Sequence, residues 1–402
     1  MYPSPKTRLA VGLLASSLAL SACGSGEDSN PTNASKTYTI GVIAPLTGDL
    51  SAIGQGIKNG VDLAIRQANA KKTIAGVTLR LNAQDDTAKA DVGATVAAKL
   101  VSDQSVIGVV GPLNSSVGKS VAPVLSQANL AEISPANSAI DLTGREALAS
   151  GGTQTRPYKS YFRVVASDDI QGPFAAQYAV SLGVKKIAIV HDKKAYGQGL
   201  AEAFVKEAKA KGATVLPTET VNPGDKDFSA TITKLQSQGP DFLFYGGEYP
   251  EASLLTKQMK AAGLKIPLMG GDGIQAADYL KIGGAATEGD FATALGAPTD
   301  ALDSAKTFVT DYAAAGFKDP IGPYGTYAFD AANAIIKALA TSLDKSGQAL
   351  RDAVTTAVGD SDFDGVTGKI SFDDFGDTNS KVLTVYKVAS GKFVAEKTDT
   401  FK

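Results

Sequence analysis

At 402 residues the chain is too long for one ordinary hydrophobic core, so two lobes are expected. A hydrophobic content of 44% with 20% charged residues describes a normal soluble globular protein. The formal net charge of −2 gives no footing for nucleic-acid binding.

The N-terminus begins with Lys6 and Arg8 and continues with an apolar run from Leu9 to Leu20, followed by Ser21-Ala22-Cys23-Gly24. An apolar run this short is a signal-peptide core rather than a membrane span. Cys23 is the only cysteine, so no internal disulfide can form. Leu20-Ser21-Ala22-Cys23 resembles the lipobox of bacterial lipoproteins, which implies a signal peptide over 1–22 and lipidation at Cys23. Cleavage there removes two cations and no acid, leaving the mature chain two charges more negative. Residues 23–36, rich in Ser, Asn, Gly and Thr, read as a flexible tether. No later segment is apolar for long enough to span a bilayer.

Tyr38 to Pro45 reads as a first strand, followed by a Gly- and Ser-containing loop to Gly54. Ile57, Val61, Ala64, Ile65 and Ala68 then recur at helical spacing. A strand over 77–82 ends in Gln84-Asp85-Asp86-Thr87, and a helix over 90–102 leads to Val106-Ile-Gly-Val-Val110. This β-branched run reads as a strand buried on both faces of a parallel sheet. Gly111 and Pro112 end it, and Asn114, Ser115 and Ser116 are N-cap candidates for a helix carrying Val117, Val121 and Val124. Gly118-Lys119-Ser120 imitates a nucleotide P-loop, but the required glycine five places before Gly118 is replaced by Leu113. A Ser-rich turn at a helix N-terminus instead suits a carboxylate. Leu130 to Pro135 is the next strand, ending at Ala136, Asn137 and Ser138. Alternation of strand and helix predicts a doubly wound parallel sheet, with ligand beyond the carboxyl ends of its strands.

The stretch 141–161 breaks this rhythm, and the first crossing between lobes is placed at its end. A second series follows: strand 186–190, helix 199–211, strand 214–217, helix 228–238, strand 241–245, helix 252–262 and strand 267–270. Gly289 to Leu295 reads as a strand returning to the first lobe. Helices over 307–315 and 324–343 come next, the second with a small-residue face that packs closely. The expected lobes are 37–162 with 294–370, and 163–293 with 371–402. Two α/β lobes with several crossings predict hinge closure over a ligand.

Asp360, Asp362, Asp364 and Gly365 match the opening of a calcium loop, but the twelfth position is Ser371 rather than Glu. They read instead as a turn chain. His191 is the only histidine, so a His/Cys metal site lacks ligands, and no Gly-x-Ser-x-Gly elbow supports a hydrolase. No cofactor is expected. Asp272, between Gly271 and Gly273 at a strand end, is placed to meet a cation. Tyr196 and Glu248 share the same expected rim.

Taken together, Gly41 to Gly48, Gly108 to Ser116, Ile133-Ser-Pro135, His191 to Gly199, Asp227-Phe-Ser229, Tyr245-Gly-Gly247, Gly270 to Gly273 and Phe363 to Gly368 resemble the leucine/isoleucine/valine-binding proteins of bacterial ABC importers. The resemblance runs from Tyr38 to the C-terminus. It implies the type I periplasmic-binding fold and an extracytoplasmic, lipid-anchored monomer that delivers an amino acid to a membrane permease, without catalysis. By position, Ser115 and the Ser138 amide would hold the ligand carboxylate. The Ala136 carbonyl, the Ser138 hydroxyl and Asp272 would hold its ammonium group, and Tyr196 would close from the second lobe. Ile53, Leu113, Asn114, Glu248 and Tyr324 would surround the side chain. Glu248 departs from the family pattern there: it turns to solvent or a partner, or the ligand carries a polar or cationic side chain. A sensor input with the same fold and a receptor for urea, short amides or a polar amino acid are the alternatives.

Overall fold

A computed structural model describes residues 35–149 and 151–401. The expected signal peptide, Cys23 and nearly all of the expected tether lie outside them. In chain order the first lobe opens with β1 (Lys36–Ala44), α1 (Ser51–Ala70), β2 (Val77–Asp85), α2 (Ala90–Ser102), β3 (Val106–Val110), α3 (Ser115–Gln127) and β4 (Glu132–Ser134). A short helix α4 (Glu146–Ala149) and β5 (Tyr161–Arg163) follow. These strands form a parallel five-stranded sheet in the order β2-β1-β3-β4-β5. β3 is buried along its whole length, as an uncharged β-branched strand with helices on both faces must be.

The second lobe contains α5 (Asp168–Ser181), β6 (Lys186–His191), α6 (Ala195–Ala210), β7 (Thr214–Thr220), α7 (Ser229–Gln238), β8 (Phe242–Gly246), α8 (Tyr249–Ala261), β9 (Leu268–Gly270), α9 (Ala277–Gly283) and β10 (Phe291–Leu295). The chain then supplies α10 (Lys306–Ala314), α11 (Gly325–Ala340) and α12 (Gly347–Gly359). The hairpin β11 (Asp362–Gly365) and β12 (Gly368–Ser371) precedes β13 (Val382–Ala389) and β14 (Lys392–Thr400). The second sheet has seven strands in the order β14-β13-β10-β9-β8-β6-β7, with antiparallel pairing only where β13 joins β10 and β14.

Several boundaries differ from the sequence reading. The strand expected to return to the first lobe is β10, and it belongs to the second sheet: Phe291 pairs with Met269 on one side and with Lys387 on the other. Alternating burial records depth but not which strand lies alongside, so the pattern could not choose the sheet. The crossing therefore follows Leu295 rather than preceding position 294. The division at 370/371 falls inside β12, β5 carries the first sheet to Arg163, and β1 starts at Lys36, the last tether position. α1 begins at Ser51, so Gly54 is helical. Four helices, the short α4 and α9 and the longer α5 and α12, have no counterpart in the sequence reading.

α11 packs against α1 in the first lobe. A Cβ at Gly60 of α1 would stand 2.2 Å from the Gly325 carbonyl oxygen, so glycine is what permits this approach. The close packing fixes the start of α11, and with it Tyr324, at the cleft.

Candidate functional site

The cleft between the lobes holds a small cavity lined by Ile53, Leu113, Asn114, Ser115, Ala136, Tyr196, Glu248, Asp272, Gly273 and Tyr324. Nine of the ten ligand-site residues expected from sequence therefore meet at one place. The tenth, Ser138, is fully buried behind the wall and reaches the site through Ser115.

The first lobe contributes the N-terminus of α3. Asn114 is its N-cap residue, yet its side chain makes no capping bond. Ser115 Oγ accepts the amides of Ser138 and Ala139, each at 3.3 Å, which ties the ends of β3 and β4 together. The first N–H groups of a helix have no partner within it, so this turn offers donors and the positive end of a dipole. Ser116 Oγ accepts the Ala195 amide at 3.1 Å, joining α3 to α6 across the cleft.

The second lobe contributes Asp272, which follows β9 in a short 3₁₀ turn. It is 2% exposed. Tyr196 Oη and Gln171 Nε2 donate to Oδ1 at 2.8 and 3.0 Å, and Tyr324 Oη donates to Oδ2 at 2.7 Å. Tyr196 Oη in turn accepts the Gly273 amide at 3.1 Å. A Cβ at Gly271 would sit 2.3 Å from that hydroxyl, so the glycine lets Tyr196 lie against the turn. Burial raises the Asp272 carboxyl above the usual range, partly offset by the Tyr324, Tyr196 and Gln171 donors. None of those donors carries a charge. Tyr324, expected only to wall the side-chain pocket, supports the acid from the first lobe.

Glu248 has partners rather than solvent. Its Oε1 accepts a hydrogen bond from Asn114 Nδ2 across the cleft, and its Oε2 forms an ion pair with Lys194 Nζ. Burial would lower the Lys194 ammonium, but Glu248 and Asp192 overcome this and raise it. Asp192 is fully buried 3.9 Å from Lys194 Nζ, and burial followed by the Glu248 charge lifts its carboxyl to about 7. Asp86 is likewise lifted to about 7, chiefly by burial.

Other sequence candidates have structural roles. Lys119 lies inside α3 and pairs with Asp141. Asp362 and Asp364 belong to the β11–β12 hairpin, whose turn amides at Val366 and Thr367 bond Asp330 at 2.9 and 2.8 Å. His191 is half-buried, its Nδ1 accepting the Lys193 amide at 3.1 Å. Among the described residues no group of three or more His, Cys, Asp or Glu side chains is placed to hold a metal ion.

Residues 37–392 match the family described as periplasmic binding protein. The chain is 34% identical over 360 residues to the Leu/Ile/Val-binding protein BraC3 of Rhizobium johnstonii, covering 89% of this chain and 93% of that protein. The chain belongs to the periplasmic binding protein family. The leucine-binding protein LivK of Thermotoga maritima superposes with a TM-score of 0.79 at 26% identity, covering 90% of this chain and 98% of that one. The branched-chain amino acid transporter substrate-binding protein LivJ of Streptococcus pneumoniae, in complex with isoleucine, gives 0.78 at 25% identity, covering 90% and 99%. As a member of this family the chain is a binding protein rather than an enzyme.

In this periplasmic binding protein, sequence reasoning missed Gln171 and Lys194. Gln171 sits on the unanticipated α5 and bridges Asp272 to Thr293 Oγ1, 3.0 Å from each. Lys194 precedes α6 in a run of two lysines that reads as solvated surface. Only the buried Glu248 opposite, which demands a partner, hinted at it.

Proposed function

We propose that the protein captures a free amino acid between its lobes and delivers it to an ABC permease. The observation that carries this reading is the pairing of opposite recognition elements around one cavity. The α3 N-terminus at Ser115 suits a carboxylate, and Asp272, held by neutral donors alone, suits an ammonium group. Ser115, Ser138, Ala136, Asp272 and Tyr196 hold the ligand backbone, and Ile53, Leu113, Asn114, Glu248 and Tyr324 surround its side chain. The named relatives are described as binding leucine, isoleucine and valine, so these head the ligand panel.

Residues 1–22 are cleaved, Cys23 is lipidated, and the protein works as a monomer tethered outside the cytoplasmic membrane. No described helix is long and apolar enough to cross a membrane. Ligand selects the closed arrangement in proportion to its difference in affinity for closed and open states. A thermal-shift screen against the twenty amino acids, urea and short amides tests this. A ligand at a hundred times its dissociation constant adds about 2.7 kcal/mol, well within resolution. A shift with at least one amino acid is expected; shifts with urea or amides alone overturn the reading.

A further inference from the structure

We infer that the side-chain end of the cavity is specific for a neutral amino acid carrying a hydrogen-bond donor, a hydroxyl or carboxamide, over its apolar isostere. The inference rests on the amino-acid reading above and deepens it. Its first support is Asn114. The residue lines the cavity, is 4% exposed, and spends its Nδ2 on Glu248. Its Oδ1 is buried and accepts from none of the described residues. A buried acceptor without a donor is costly, and a ligand donor removes that cost where a methyl group cannot.

The second support is the charge balance behind Asn114. Glu248 already faces the Lys194 ammonium, and Asp192, 3.9 Å from the same ammonium, is lifted towards its neutral form by burial, so the carboxylate does not call for a second cation. A cationic side chain would approach Lys194, and an anionic one would face Glu248. A neutral donor meets neither repulsion. Ile53 and Leu113 line the same cavity and supply apolar contact for the rest of such a side chain, as threonine has. Sites built to hydrogen-bond a substrate group discriminate far more strongly than apolar pockets that only measure size.

Isothermal titration of the purified protein with two near-isosteric pairs, threonine against valine and asparagine against leucine, tests this. In at least one pair the polar member should bind ten-fold tighter or better. In Asn114→Leu that preference should fall to unity or reverse. Because the first comparison uses the unaltered protein, it stands even if the variant folds poorly. If valine and leucine bind as tightly as threonine and asparagine, or if the preference survives in Asn114→Leu, the inference is overturned while the amino-acid reading stands. If no amino acid binds, both fall together.

Discussion

The two ends of the central cavity each bury a carboxylate, and they stabilise it by opposite means. Asp272 is surrounded by two tyrosine hydroxyls and a carboxamide, all neutral. Glu248 has a lysine ammonium and a carboxamide. Hydrogen bonds from neutral groups solvate a charge without cancelling it, so the Asp272 end still attracts a cation. The Lys194 ammonium, paired with Glu248 and 3.9 Å from Asp192, offsets the charge there, so what the Glu248 end leaves open is the neutral Asn114 Oδ1. One end therefore recognises what every amino acid shares, and the other discriminates among side chains.

The largest effect should come from removing the uncompensated charge. Asp272→Asn keeps much of the shape but leaves a ligand ammonium unpaired, and should weaken binding by about 2–5 kcal/mol. Titration calorimetry on the variant checks this, and unchanged affinity would remove Asp272 from the site. At the other end the expected damage is to stability. Lys194→Met strands Glu248 without its cation and should cost about 3 kcal/mol, the lower figure for a buried pair because Lys194 keeps some solvent contact. Adding Glu248→Gln should recover most of that loss. Urea denaturation midpoints at constant slope measure both steps. If Lys194→Met is harmless, the two ends do not differ as described.

The same contrast explains how much was legible in the sequence. Ser115 and Asp272 could be read because each is set by its own neighbourhood: a strand end, a turn, and for Ser115 the helix that follows. The Glu248 end depends on residues that only tertiary structure brings together. Lys194 is 54 positions from Glu248, and Asn114 is 134. The fold divides likewise. Strand and helix alternation gave the α/β class, but not the sheet that β10 joins. α5 was missed because Ile170, Gly172, Phe174, Ala175 and Ala176 are buried on several sides, together with Asp168 and Gln171, leaving no clean apolar stripe. α12 was missed although Leu350, Val354 and Val358 recur every four residues and were readable.

A smaller effect concerns pH. Asp86 is fully buried on the Glu248 side, with its carboxyl lifted from 3.8 to about 7. An acid whose folded value is raised holds its proton longer in the native state than in the unfolded one. Its contribution is therefore full below about 4 and is lost as pH rises through about 7. Asp86→Asn keeps the acceptor for the Ala88 amide, 2.8 Å away, but cannot ionise. It should stabilise the protein at pH 8 by about 1–3 kcal/mol and change little at pH 4. That is less than the roughly 4 kcal/mol that three tenfold changes in proton affinity at about 1.4 kcal/mol each would give, because an ionised Asp86 relaxes towards water. Melting curves at the two pH values decide it, and equal effects at both would mean that Asp86 does not titrate in this window.

The finest test separates two donors to the same carboxylate. Tyr196 and Asp272 belong to the second lobe, whereas Tyr324 reaches Asp272 from the first, so only the Tyr324 bond must break when the lobes part. Tyr324→Phe should weaken ligand binding by about 1.5 kcal/mol, the lower figure for a hydrogen bond to a charged group. It should leave the melting of the ligand-free protein nearly unchanged wherever the open state dominates. Tyr196→Phe should lower both, because it also strips the Gly273 amide of its acceptor. Calorimetry paired with ligand-free melting curves reads the difference. If the two variants behave alike, closure does not turn on the Tyr324 hydroxyl, and its bond to Asp272 belongs to a cleft that stays shut without ligand.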